Sequence, residues 1–296
     1  GSTRRSGEAG GTGLTVRTTL ENPSTRPGLT LTGEVLMVGD HGDAPVDNVV
    51  VGLFTEVEME ADDGWLVEFF RVAVSEAFPV PAGSRRVVPF SLPVPYETPL
   101  THARGYPLGG MAMGLRVELE LARKVEPQDL VAVAVHPLPV QQLILDAFVR
   151  AGFRLRQVRV QGGSIPRVAQ ILPFYQDFGF WAAAQYADRI TEVGVIFVTD
   201  PVGADVILAI DRWAHADAGV PTSTHRIRVE NSAADTTDWD ALMDRWVSWA
   251  VDWHVRRYHY RYLYRVGPQT YNIGRRPPMG IAGAGGEDHD DGTGGT

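Results

Sequence analysis

Leu29-Thr-Leu-Thr-Gly-Glu-Val35 alternates apolar and polar residues with a period of two, the spacing of a strand with one buried face. Leu14-Thr-Val-Arg-Thr-Thr-Leu20 precedes it in the same rhythm, and Val49-Val-Val-Gly-Leu-Phe-Thr-Glu-Val57 follows as a more continuously apolar run. Trp65 to Val74, Arg86 to Leu92, Leu115 to Leu121 and Leu130 to Val135 continue the series. Turn residues separate these runs: Asn22-Pro23, Arg26-Pro27-Gly28, Gly39-Asp40-His41-Gly42-Asp43, Asp62-Asp63-Gly64 and Pro81-Ala82-Gly83. About seven short strands with no helical pattern between them predict an antiparallel sandwich over residues 14–136.

His136-Pro-Leu-Pro139 breaks the rhythm. Leu143, Ile144, Ala147 and Phe148 then recur at helical spacing and Gly152 stands where a C-terminal cap belongs, so a short helix within a linker, 137–151, is predicted. Strand patterns resume at Phe153 to Val160, Pro173 to Phe180, Glu192 to Val198, Asp205 to Ile210 and His225 to Val229, giving a second sandwich over 152–234. Asp235-Thr-Thr-Asp238 can cap a final amphipathic helix in which Trp239, Trp246, Trp249 and Trp253 are expected to share one buried stripe. That helix and a basic-aromatic extension occupy 235–265. A flexible leader (1–13) and a Gly-rich tail (266–296) complete the division. The fold class expected is all-β with one or two accessory helices, two antiparallel β-sandwiches in tandem.

The 296 residues carry a net charge of −9, which argues against a nucleic-acid binder that uses its whole surface. Gly 32 and Pro 20 fit a turn-dense chain. With Cys 0, disulfides, thiolate metal sites and a cysteine nucleophile are excluded. No apolar run reaches the roughly 18 residues of a membrane span, and a cytoplasmic protein is expected.

No phosphate-loop, zinc-protease or nucleophile-elbow spacing appears, and no catalytic, cofactor or metal residues are assigned. Glu56, Glu58 and Glu60 share one strand face, as do Glu118 and Glu120; solvated outer faces account for both sets. His254 and His259 are five apart, not the four that a helical metal pair needs. Three prolines in Leu92-Pro-Val-Pro-Tyr-Glu-Thr-Pro99 suggest a rigid inter-strand loop, ahead of a polyproline ligand. Trp253 to Arg276 contains six arginines and no acid, interleaved with aromatics. Within it Arg256, Arg257, Tyr258, Tyr260, Arg261, Tyr262, Tyr264 and Arg265 are the candidate partner-binding residues. Two readings compete there: arginine stems packed over tyrosines on a solvated helix end, or a platform for anionic lipid, nucleic acid or an acidic protein face.

The stretch Pro89-Phe-Ser-Leu-Pro-Val-Pro-Tyr-Glu-Thr-Pro-Leu100 resembles a loop of the bacterial sporulation-control proteins of the stage-zero M family. His136-Pro-Leu-Pro-Val140, Leu145-Asp-Ala-Phe148, Gly152-Phe-Arg-Leu-Arg156, Leu172-Pro-Phe-Tyr-Gln-Asp-Phe178 and Ala209-Ile-Asp-Arg212 are similar to later segments, in the family's order. The resemblance implies an arrestin-like fold and a cytosolic, non-enzymatic regulator of development. Such an adaptor would bind other proteins, or a second copy of itself, through sheet edges and loops. The alternative is association with anionic lipid or nucleic acid through the C-terminal extension.

Overall fold

The structure, a computed structural model, describes residues 13–59, 62–212 and 222–258. The leader up to residue 12, Glu60, and everything after Tyr258 lie outside the described residues. Among the described residues, eleven strands of seven residues or more and two α-helices make up the frame. In the first half β1 (Leu14–Leu20), β2 (Thr30–Gly39) and β5 (Arg85–Pro93) form one sheet in the order β1-β2-β5. The facing sheet joins β3 (Asn48–Met59), β4 (Asp62–Ala73) and β6 (Met113–Leu121), with β4 and β6 on either side of β3.

The alternation read from β2 is the alternation of burial: Leu31, Val35 and Met37 point inward while Thr30 and Glu34 are exposed. They meet Val49, Val51 and Leu53 of β3 and Leu115, Val117 and Leu119 of β6 in one core, with Leu53 opposite Leu115 and Val51 opposite Val117. Glu118 faces outward and reaches Arg71 at 2.6 Å, an exposed-face contact as the strand pattern requires.

The linker helix α1 spans Pro139–Arg150. Pro139 opens it with the φ a first turn needs, and the Leu138 N–H donates to the Gln141 side chain at 2.8 Å. Gly152 closes it at φ +93°, which lets the Phe153 N–H reach back to the Phe148 carbonyl at 3.0 Å.

In the second half β7 (Arg154–Gly162), β8 (Phe174–Trp181), β9 (Glu192–Thr199), β10 (Gly203–Ile210) and β11 (Ser223–Glu230) make one antiparallel meander in that order. One face carries Val193, Val195, Val206, Leu208 and Ile210 and belongs to the same core as α1 and the last helix, α2 (Trp239–Arg257). The two helices are therefore the second layer of this half. A single parallel pairing, Gln161 with Glu58, continues the sheet from β7 into β3 of the first half.

The proline-rich stretch is a strap between the halves. Tyr96 packs its ring over Gly28, whose φ of +82° and missing Cβ make room for it. The Glu97 carboxylate accepts the N–H groups of Ile171 (2.7 Å) and Leu172 (2.9 Å), and the Tyr96 carbonyl accepts the Thr199 hydroxyl. The buried Gln176 side chain closes the join, accepting from the Leu100 N–H and donating to the Leu100 carbonyl, both at 2.7 Å.

Candidate interaction surface

The Asp238 side chain accepts the Ala241 N–H at 3.0 Å and starts α2. The buried stripe of the helix is Trp239, Met243, Trp246, Val247, Ala250, Val251 and His254. Trp249 and Trp253 do not share it, contrary to the single-stripe expectation: they are 51% and 38% exposed. At about 100° per residue, Trp249 lies about 120° and Trp253 about 80° from the centre of that stripe. Both indoles emerge on the flank that overhangs β11.

There they meet His225. Its imidazole stands edge-on to Trp249 at 5.0 Å and to Trp253 at 5.1 Å, and Nε2 lies 3.1 Å from the Ser223 hydroxyl. Burial pushes the His225 pKa below its ordinary value, so the ring is neutral at pH 7. The result is an uncharged, partly open aromatic platform.

Beside the platform runs the edge of the sheet. Among the described residues β11 pairs with β10 alone. The Asn231 N–H donates to the Val202 carbonyl at 2.8 Å, and extending that register along β11 turns the groups of Ser223, His225, Ile227 and Val229 toward β10. The N–H and carbonyl groups of Thr224, Arg226, Arg228 and Glu230 therefore point outward. Their side chains lie on the sheet face opposite the helices. There Arg226 pairs with the buried Asp205 at 2.9 Å and Arg228 with Asp200 at 2.7 Å. Burial opposes the charge of Asp200, but Arg228 and the N–H groups of Val202 and Gly203 outweigh it and hold its pKa down.

Of the candidate partner-binding residues, Arg256, Arg257 and Tyr258 end α2 next to this platform. Arg256 Nε donates to the Asp252 carbonyl at 3.1 Å, and the Tyr258 ring lies 5.1 Å from His254 with its hydroxyl donating to the Thr222 carbonyl. Tyr260, Arg261, Tyr262, Tyr264 and Arg265 lie outside the described residues. His225, Trp249, Trp253 and the outward groups of β11 were not singled out by sequence as a binding surface. Trp249 and Trp253 carried a signal, since both sit off the centre of the apolar stripe.

One constellation has the residue types of a hydrolase. Ser223 Oγ lies 2.6 Å from His254 Nδ1, and His254 Nε2 is 3.8 Å from Asp211 Oδ2. Asp211 also accepts the N–H groups of Thr191 and Glu192. Ser223, Asp211 and His254 are all buried where α2 meets the sheet, His254 at 0% exposed. These groups fasten the end of α2 to the sheet. Glu58 takes a bond from Gln161 at 3.2 Å and belongs to the join between the halves. Among the described residues no group of three or more His, Asp or Glu could hold a metal ion, and no helix is long and apolar enough to cross a membrane.

A sequence model described as SpoOM protein matches residues 6–214, a match that ends before β11 and α2. The sporulation-control protein spo0M of Bacillus subtilis (strain 168) is 26% identical over 210 residues, which cover 69% of this chain and 78% of that protein. The crystal structure of Spo0M, sporulation control protein, from Bacillus subtilis superposes with a TM-score of 0.69 over 82% of this chain and 99% of that one. At 21% identity that likeness shows a shared fold.

Proposed function

The chain belongs to the SpoOM protein family, and on that premise we propose that it is a regulator in sporulation control, a non-enzymatic adaptor that takes an extended segment of another protein onto the outer edge of β11. One observation carries the reading: the outward N–H and carbonyl groups of Thr224, Arg226 and Arg228 lie beside two half-exposed indoles that overhang the same edge. Main-chain bonds along the edge supply affinity, and the Trp249–His225–Trp253 platform supplies a pocket for alternate side chains. The two exposed tryptophans give the helix side of that edge an apolar patch of the kind that marks an interaction site, while Arg226 and Arg228 keep its other side charged.

The test is genetic. In the organism that encodes the chain, deletion of the gene shifts the timing or yield of sporulation, and a Thr224→Pro allele reproduces that shift. Proline at 224 removes an outward N–H and leaves the bonds to β10 intact. Unchanged sporulation on deletion overturns the regulatory role. A deletion phenotype with a silent Thr224→Pro allele overturns the edge. The competing reading, attachment to an anionic surface through Arg256, Arg257 and the residues that follow, predicts capture on phosphatidylserine vesicles that collapses between low and physiological salt.

A further inference from the structure

The occupant of the β11 edge is constrained by the two faces it would extend. A strand added there sends every second side chain to the helix face, under Trp249 and Trp253 and beside a neutral imidazole. That environment accepts large apolar groups and penalises a charge. The alternate side chains fall on the opposite face, alongside Arg226 and Arg228. Their side chains are 47% and 36% exposed, whereas Asp205, the carboxylate they share, is 8% exposed. Asp205 and the Arg167 carbonyl hold the Arg226 guanidinium, Asp200 and Asp205 hold that of Arg228, and each keeps N–H donors beyond these contacts. A carboxylate arriving at the edge meets these donors.

α2 runs back from the Glu230 end of β11 to the Ser223 end, where Tyr258 bonds the Thr222 carbonyl. With Ser223, His225 and Ile227 facing the helix and bonded toward β10, a parallel strand following α2 on the outer side of β11 would close a left-handed crossover. Sheets avoid that hand almost without exception. A second molecule is the natural occupant.

We propose that the β11 edge selects an extended segment of a partner protein in which large apolar residues alternate with aspartate or glutamate. The proposal rests on the edge reading given above and adds the sequence character of the partner. The apolar set lies under Trp249 and Trp253; the acidic set pairs with Arg226 and Arg228.

The probes are three capped octapeptides: leucine alternating with aspartate, leucine alternating with arginine, and four leucines followed by four aspartates. Each is titrated into the full-length chain, following indole fluorescence and the hydrogen exchange of the β11 amides. The alternating acidic peptide is expected to bind and to slow exchange at Thr224, Arg226 and Arg228 at least tenfold. Arg226→Gln with Arg228→Gln, or Trp249→Ala with Trp253→Ala, is expected to weaken it at least tenfold. Equal binding by the arginine or block peptide overturns the proposal, as does no binding by the alternating acidic peptide. If the peptides fail while Thr224→Pro still reproduces the deletion phenotype, the partner's character is wrong and the edge stands. If both fail, the edge reading falls with it.

Discussion

Trp246 and Trp249 lie three residues apart on α2, and replacing each with alanine should have different consequences. Trp246 is 7% exposed and packs in the common core, so Trp246→Ala removes a large buried side chain and leaves a cavity; the expected cost is about 3–5 kcal/mol. For a folded region of this size, about 2–4 °C of melting temperature is lost per kcal/mol, which puts the shift at about 6–20 °C. Trp249 is 51% exposed and meets His225 edge-on, so Trp249→Ala should cost about 1 kcal/mol or less and move the transition by a few degrees. The assay is thermal unfolding followed by near-ultraviolet circular dichroism, with urea midpoints as a second measure. Equal shifts for the two variants, or wild-type melting of Trp246→Ala, would refute the helix orientation and with it the placement of the platform.

Glu97→Gln replaces a carboxylate that accepts two backbone N–H groups across the strap; hydrogen exchange at Ile171 and Leu172 should quicken and about 1–3 kcal/mol of stability should be lost, whereas unchanged exchange would mean the strap is held elsewhere. Burial lowers the pKa of His136, with its neighbours His102 and Arg26 adding to the effect, and burial also lowers that of His225. The unfolded chain therefore binds protons more readily just below the ordinary histidine pKa of about 6.5, and stability should fall as pH drops from there toward the folded values. Melting curves between pH 7.5 and 5 check this, and His136→Gln should flatten the slope. Arg150 and Asp240 tie α1 to α2 at 2.8 Å, but both side chains are more than half exposed, so Arg150→Ala should cost no more than about 1 kcal/mol in a urea titration.

Much of the frame is legible in the sequence because its causes are local. Period-two alternation marks β2, and the helical spacing of Leu143, Ile144, Ala147 and Phe148 with Gly152 beyond marks a helix within 137–151, where α1 spans Pro139–Arg150. The tryptophan stripe fails for a geometric reason. Spacings of i+10 and i+14 look helical, yet they drift about 80° and 40° behind Trp239, while Met243, Val247 and Val251 draw the buried face the other way. Which strand ends a sheet depends on pairing between residues far apart in sequence, so His225 to Val229 reads as one strand among many. The strap shows the same limit. Pro95 and Pro99 announce stiffness, but nothing local connects Glu97 to amides 74 and 75 positions away. The spacing of His254 and His259 does not suit a helical metal pair, and the bond of His254 to Ser223 comes from tertiary packing.

The most direct measurement is residue-resolved hydrogen exchange along β11 in the full-length chain, alone and bound to a purified partner identified by photo-crosslinking from position 224. Strand addition predicts that the amides of Thr224, Arg226 and Arg228, which point away from β10, slow at least tenfold, while those of His225 and Ile227, already bonded to β10, change little. A bound partner that leaves the outward amides exchanging as in the free chain would contradict the account.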